Sequence, residues 1–150
     1  MLSIVKISEW PDQAMNEIVE EAAQNGFQFI GRLKADWRSG ANRFSGDGEA
    51  FFGVYDGDQL VAVGGLNRQT ADCGRVRRVY VLKARRRGGI GAQLIRHLLE
   101  FAAQHYQSVR LRTDTEAAAR FYSALGFVRA ERGGDADHQF EFYKPLSPMA

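Results

Sequence analysis

The stretch Val79-Tyr-Val-Leu-Lys-Ala-Arg-Arg-Arg-Gly-Gly-Ile-Gly91 runs from a strand-like segment through a basic, glycine-rich turn into the start of a helix. In such a turn successive backbone N–H groups point into one concavity, and the helix N-terminus adds about half a positive charge. A phosphate or pyrophosphate fits that chemistry. Gly88, Gly89 and Gly91 carry no Cβ atoms to block its approach, and Arg85, Arg86 and Arg87 add charge at the rim. Seven of the thirteen residues from Arg75 to Arg87 are Lys or Arg and none is Asp or Glu, whereas the rest of the chain holds 13 basic against 18 acidic residues. The net charge of +2 therefore hides a concentrated basic block whose natural partner is an anion.

Spacing separates the phosphate-binding classes. A P-loop requires Lys and Ser or Thr after its last glycine, but Ala92 and Gln93 follow Gly91. A dinucleotide fingerprint requires a third glycine where Leu94 stands, after an early parallel strand. Nucleic acid is disfavoured because the block sets a single aromatic residue, Tyr80, among its six arginines, too little for base stacking, and its glycine turn suits a compact pyrophosphate better. What remains is Arg86-x-x-Gly89-x-Gly91 directly after Tyr80-Val81. Here the chain resembles the GNAT superfamily of acyl-CoA-dependent N-acyltransferases, whose motif is [Arg/Gln]-x-x-Gly-x-[Gly/Ala] after such a strand. About thirty residues later Thr115-Glu-Ala-Ala-Ala-Arg-Phe-Tyr-Ser-Ala-Leu-Gly-Phe127 is similar to that family's second signature, with Thr115 in place of the usual Asn.

The resemblance covers about Ala50 to Leu146 and implies an acetyl-CoA-dependent N-acetyltransferase that works by direct transfer, without a covalent acyl-enzyme. It implies that Arg86, Arg87, Gly88, Gly89, Ile90 and Gly91, with Ala92 on the first helical turn, bind the CoA pyrophosphate through backbone N–H groups. The backbone of Val79, Tyr80 and Val81 would pair with the pantetheine arm, Thr115 would open the second motif, and Tyr122 would sit near the CoA sulfur as general acid. Many members carry a glutamate on the strand before the turn. That strand here reads Arg75-Val-Arg-Arg-Val-Tyr-Val81, so Glu49, at the start of a neighbouring strand, is the candidate base, with ordered water as the alternative.

The acceptor is read as a primary amine of a small molecule. The alternatives are a lysine or N-terminal amine of a protein, and a non-catalytic acyl-CoA-binding module. Asp36, Asp47 and Glu49 lie near the loop from Gly40 to Phe44 and Trp37, and their charge would favour a cationic amine. His138 is weighed as a channel residue against a solvated loop residue. Cys73, with no histidine near it in sequence, reads as an inert loop thiol. His97, His105 and His138 share no ligand spacing, so no metal is expected. The longest apolar run is far shorter than the ~20 residues of a bilayer span, and the N-terminus lacks the pattern of a signal peptide, so a cytoplasmic protein without a membrane partner is expected. GNAT proteins often dimerise, which leaves a homodimer open.

These residues need a scaffold to converge. No repeat or linker interrupts the 150 residues, so residues 1–150 are read as one domain. Alternation predicts a strand from Leu2 to Ile7, and spacing predicts helices from Asp12 to about Asn25 and from Phe27 to Trp37. Asp56-Gly57-Asp58 joins strands at Ala50–Tyr55 and Gln59–Leu66, and a third strand follows at Val76–Leu82. Helices at Gly89 to about Tyr106 and Glu116–Leu125 flank a strand around Val109, Leu111 and Thr113. Phe127–Ala130 and Phe140–Lys144 are read as the last strands, around a loop at 133–137. The order β-α-α-β-β-β-α-β-α-β-β predicts an α+β fold, an α/β sandwich of GNAT type with a mixed, largely antiparallel central sheet and helices on both faces.

Overall fold

A computed structural model describes residues 1–130 and 136–142. In chain order it contains β1 (Leu2–Lys6), α1 (Asp12–Gln24), α2 (Gln28–Ser39), β2 (Ala50–Asp56), β3 (Gln59–Arg68) and β4 (Cys73–Val81). A short 3-10 turn at Lys83–Arg85 leads to α3 (Ile90–Ala103), β5 (Ser108–Leu111), α4 (Glu116–Ala124), β6 (Val128–Arg129) and β7 (His138–Glu141). The strands form one sheet in the order β1-β2-β3-β4-β5-β7-β6. Every pairing is antiparallel except that of β4 with β5, which needs a crossover, and α3 supplies it.

Alternation along the central strands sends neighbouring residues to opposite faces of the sheet, so each face acquires its own helical cover. On one face Phe51 meets Trp37 of α2 at 5.5 Å and Phe44 at 5.3 Å between ring centroids. On the other, Phe52 meets His97 at 4.6 Å and Phe101 at 5.8 Å, both on α3. Glycines in β3 set how closely these layers approach. A Cβ on Gly65 would stand 2.4 Å from the Phe44 ring, and one on Gly64 would crowd Leu94 and Leu98 of α3. The apolar stripes read from the sequence are the buried faces: Met15, Ile18 and Ala22 on α1, Ile30, Leu33 and Trp37 on α2, and Leu94, Ile95, Leu98 and Ala102 on α3.

The order of elements is as predicted, and the differences lie at their ends. β4 begins at Cys73, three residues before the predicted start, because Cys73, Gly74 and Arg75 pair with Ser108, Val109 and Arg110. Gly74 signals a turn in sequence, yet its missing side chain makes room for the Tyr106 ring, which a Cβ would meet at 2.9 Å. The α3 helix ends at Ala103 rather than near Tyr106, whose hydroxyl donates to the Gly48 carbonyl at 2.7 Å and anchors the loop before β2. β6 is confined to two residues, since Phe127 turns into the core. β7 starts at His138 rather than Phe140, because the polar Asp137-His138-Gln139 reads as loop while Leu111 pairs with His138. Residues 133–135 of the predicted loop and residues 143 and 144 of the predicted last strand lie outside the described residues.

Candidate active site

Parallel pairing of β4 with β5 lasts for three residue pairs and ends at Arg75 with Arg110. From Val76 onward β4 stays paired with β3, while its other edge has no strand partner among the described residues. That open edge is the central feature of the site. It is accompanied by a β-bulge, with Val63 paired to Tyr80 but Gly65 to Arg77, and Arg78 takes a left-handed backbone at φ 59°. The bulge re-aims the side chains beyond it. Tyr80 turns towards the helical layer of α1, where its hydroxyl donates to Glu21 Oε2 at 2.6 Å. Burial first, then this carboxylate, pushes the Tyr80 phenol up to about 12.

The open edge leads into the basic turn. Here the three arginines do different things. Arg85 pairs with Asp56 at 2.8 Å, which holds the Asp56 carboxyl below its ordinary range and ties the turn to the β2–β3 hairpin. Arg86 folds back, donating from Nε to the Val81 carbonyl at 2.9 Å with its guanidinium 5.3 Å from the Tyr80 ring centre. Arg87 is exposed, has a left-handed backbone at φ 69° and has no side-chain partner among the described residues. Gly89 caps α3 in the left-handed region, φ 83°, and no side chain among the described residues caps the helix. The first-turn N–H groups of Ile90, Gly91 and Ala92 thus have neither an intrahelical partner nor a cap, which is the donor set of an anion site. Gly91 serves packing as well: its Cβ would lie 3.2 Å from Phe121 of α4 and 3.6 Å from Val81.

That contact brings α4 to the end of β4. Thr115 is the N-cap of α4, its hydroxyl accepting from Ala118 N at 3.0 Å. Tyr122 is buried, with its ring 5.0 Å from Phe121 and 5.4 Å from Phe127. Burial raises its phenol pKa, and its hydroxyl has no hydrogen-bond partner among the described residues.

Further along β4, a polar pocket of about 600 Å³ opens between α2, the loop after it and the ends of β3 and β4, lined by Asp36, Asn42, Glu49, Asn67, Arg75 and Arg77, among others. Glu49 Oε1 accepts from Gly46 N at 3.1 Å, and Oε2 accepts from Asn67 Nδ2 at 3.0 Å and Arg68 N at 2.9 Å. Asn42 and Asn67 exchange amide hydrogen bonds at 2.9 and 3.0 Å and fix one wall. Asp36 faces Arg78 at 3.6 Å, and Asp47 faces Arg68 at 3.8 Å. Burial first, then repulsion from Arg77, lowers the Arg78 pKa.

A family profile described as an acetyltransferase (GNAT) domain matches residues 47–129, more than half of the chain. The chain belongs to the GNAT acetyltransferase family. Membership makes it an acyltransferase domain and implies acetyl-CoA and an acceptor as its substrates. No curated protein matches the chain by sequence. Among solved GNAT-like structures, a protein of Exiguobacterium sp. 255-15 provisionally named an acetyltransferase shares 29% identity at a TM-score of 0.82, over 94% of this chain and 93% of its own. The ribosomal-protein-S18-alanine N-acetyltransferase of Escherichia coli shares the fold at 18% identity and a TM-score of 0.74, over 100% of this chain and 99% of its own. The PaiA N-acetyltransferase of Thermoplasma acidophilum, in complex with coenzyme A, does so at 16% identity and a TM-score of 0.63, over 95% of this chain and 99% of its own.

Against this GNAT frame the sequence-predicted residues fall into two groups. Val79 to Val81 and Arg86 to Ala92 run from the end of β4 into α3, and Tyr122 joins them through Phe121, whose ring lies against both Gly91 and Tyr122. Glu49 lies in the polar pocket, whose lining does not include Tyr122. Trp37 and Phe44 are core residues, while their loop neighbour Asn42 lines the pocket. His138 is not a solvated loop residue: it is buried on β7, its Nδ1 2.6 Å from Asp137 Oδ1. Cys73 is a buried strand residue rather than a loop thiol. Glu21, Asn67 and the pocket-lining Arg75 and Arg77 were not foreseen as site residues. For the two arginines their i, i+2 spacing on one strand face was the available signal; Glu21 had none, because its partner Tyr80 lies 59 residues away.

Proposed function

We propose that the protein transfers the acetyl group of acetyl-CoA to the primary amine of a small molecule by direct attack. The observation that carries this reading is the opening of β4 from β5, which leads from the pocket along β4 backbone with no strand partner on that side to the uncapped α3 N-terminus. The residues fit the co-substrate: an anion-binding turn for the pyrophosphate, a free strand edge for the amide-bearing pantetheine arm, and a buried phenol. Acetyl-CoA supplies an acyl group activated as a thioester.

The N–H groups of Ile90, Gly91 and Ala92, with Gly88, Gly89 and the charge of Arg87, hold the pyrophosphate. The strand-edge backbone of Val79, Tyr80 and Val81 aligns the arm, and Arg86 leaves the Val81 carbonyl as it binds. Glu49 takes the proton of the incoming ammonium, directly or through water; the neutral nitrogen then bonds to the carbonyl carbon as the carbon–sulfur bond breaks. The bonded nitrogen sheds its second proton to water as the amide forms, and Tyr122 donates its hydrogen bond, and then its proton, to the departing sulfur and is reprotonated from solvent. A pocket of about 600 Å³ matches the size of a small-molecule site.

Release of free thiol from acetyl-CoA, measured across small amines, lysine-containing peptides and peptide N-termini, tests the reading. Turnover of small amines supports it. Turnover of peptides alone would move the acceptor to proteins, and acetyl-CoA binding without turnover would leave a binding module.

A further inference from the structure

The pocket beside the opening of β4 holds one carboxylate and one guanidinium that no ion pair among the described residues consumes. Glu49 accepts only from uncharged N–H groups, those of Gly46, Asn67 and the Arg68 backbone. Arg77 is exposed, lines the pocket and has no ion-pair partner among the described residues. The nearby charges are engaged. Asp36 is held by Arg78, and Arg68 is spread over Asp47 and the Ala71 carbonyl. Arg75 places Nη1 3.5 Å from Gln69 Oε1 and lines the same pocket. The three carboxylates that would have favoured a purely cationic amine therefore leave Glu49 alone to face it, against Arg77.

Position matters as much as charge. Arg77 lies just past the last β4–β5 pair, on the stretch whose edge is open. Because the bulge takes up one residue, Val81 lies opposite Ala62 and Arg77 opposite Gly65, three steps of ~3.3 Å or about 10 Å along the strand, beyond the backbone assigned above to the pantetheine arm. A group bound by Arg77 is thus at the reacting end of that arm.

We infer that the acceptor is an amine that also carries an anionic group, a carboxylate or a phosphate, bound by Arg77 beside Arg75 while the amine faces Glu49. This assignment rests on the acetyl-transfer reading and specifies its substrate class. A guanidinium fork matches either anion through two charge-assisted hydrogen bonds.

The test is acetyl-CoA-dependent thiol release with matched acceptors: amino acids against their carboxamides, and O-phosphoethanolamine against ethanolamine, for the wild type, Arg77→Gln and Arg77→Lys. The anionic member of at least one pair is expected to have the higher kcat/KM by about tenfold to a hundredfold, the scale of hydrogen bonds to a charged group. Which pair shows it identifies the anion. Arg77→Gln brings the ratio toward unity, mainly by raising KM, and Arg77→Lys recovers part of it. Equal or better turnover of the uncharged members, or a ratio unmoved by Arg77→Gln, overturns the anion site and leaves acetyl transfer standing. No thiol release with either member of any pair overturns both.

Discussion

Tyr122, the proposed general acid, sits in surroundings that suit that role. Its ring is clamped between Phe121 and Phe127, and burial keeps its phenol protonated well above neutral pH. Tyr122→Phe preserves that packing while removing the proton, so turnover is expected to fall roughly 10²-fold or more, the scale of general acid catalysis. Steady-state thiol release checks this, and unchanged turnover would remove Tyr122 from the mechanism. Tyr80 makes a separate prediction. Its proton is held to about pH 12 in the fold against 10.0 in the unfolded chain, so the stabilisation it provides is complete below pH 10 and lost as pH rises through 12. Denaturant unfolding at pH 9 and pH 11.5 is expected to show a steeper loss of stability for the wild type than for Tyr80→Phe. At this scale the sequence was readable where a residue belonged to a local motif. It was silent where a partner comes from far along the chain, as Glu21 does for Tyr80.

Two helix N-termini built differently divide the labour between elements. α4 carries its own cap in Thr115, whereas α3 begins at a left-handed glycine with its first donors open. Removing the α4 cap through Thr115→Ala is expected to cost about 1 kcal/mol, lowering the melting temperature by about 2–4 °C in a chain of this size. Thermal unfolding followed by circular dichroism measures it; no shift would mean that the hydroxyl contributes nothing to α4. Periodicity made the helices and the meander legible, because their apolar faces are also their buried faces. The parallel start of β4 was not, since Gly74 reads as a turn until Tyr106 is seen beneath it. Nor was the bulge at Arg78, which depends on the register with β3 and which an arginine, unlike glycine, does not announce.

The whole molecule joins a part read from its motifs to a part read from its shape. The family profile spans residues 47–129, which hold β2 to β6, whereas α1 and α2 were recognisable only as a strand-helix-helix pattern with β1. Those helices nevertheless complete the site: α1 supplies Glu21 to Tyr80, and α2 with its following loop supplies Asp36 and Asn42 to the pocket. Charge is distributed accordingly, with the open α3 terminus and Arg87 at one end of the unpartnered β4 edge and Arg77 with Glu49 at the other. We propose that the first of these ends binds the pyrophosphate of CoA. Calorimetric titration with acetyl-CoA, CoA and ATP, on the wild type and an Arg86→Glu/Gly89→Glu double variant of verified fold, tests it most directly. The wild type is expected to bind both CoA species selectively, and the variant to lose that binding. Absence of binding to either CoA species, or undiminished binding in the folded variant, would contradict it.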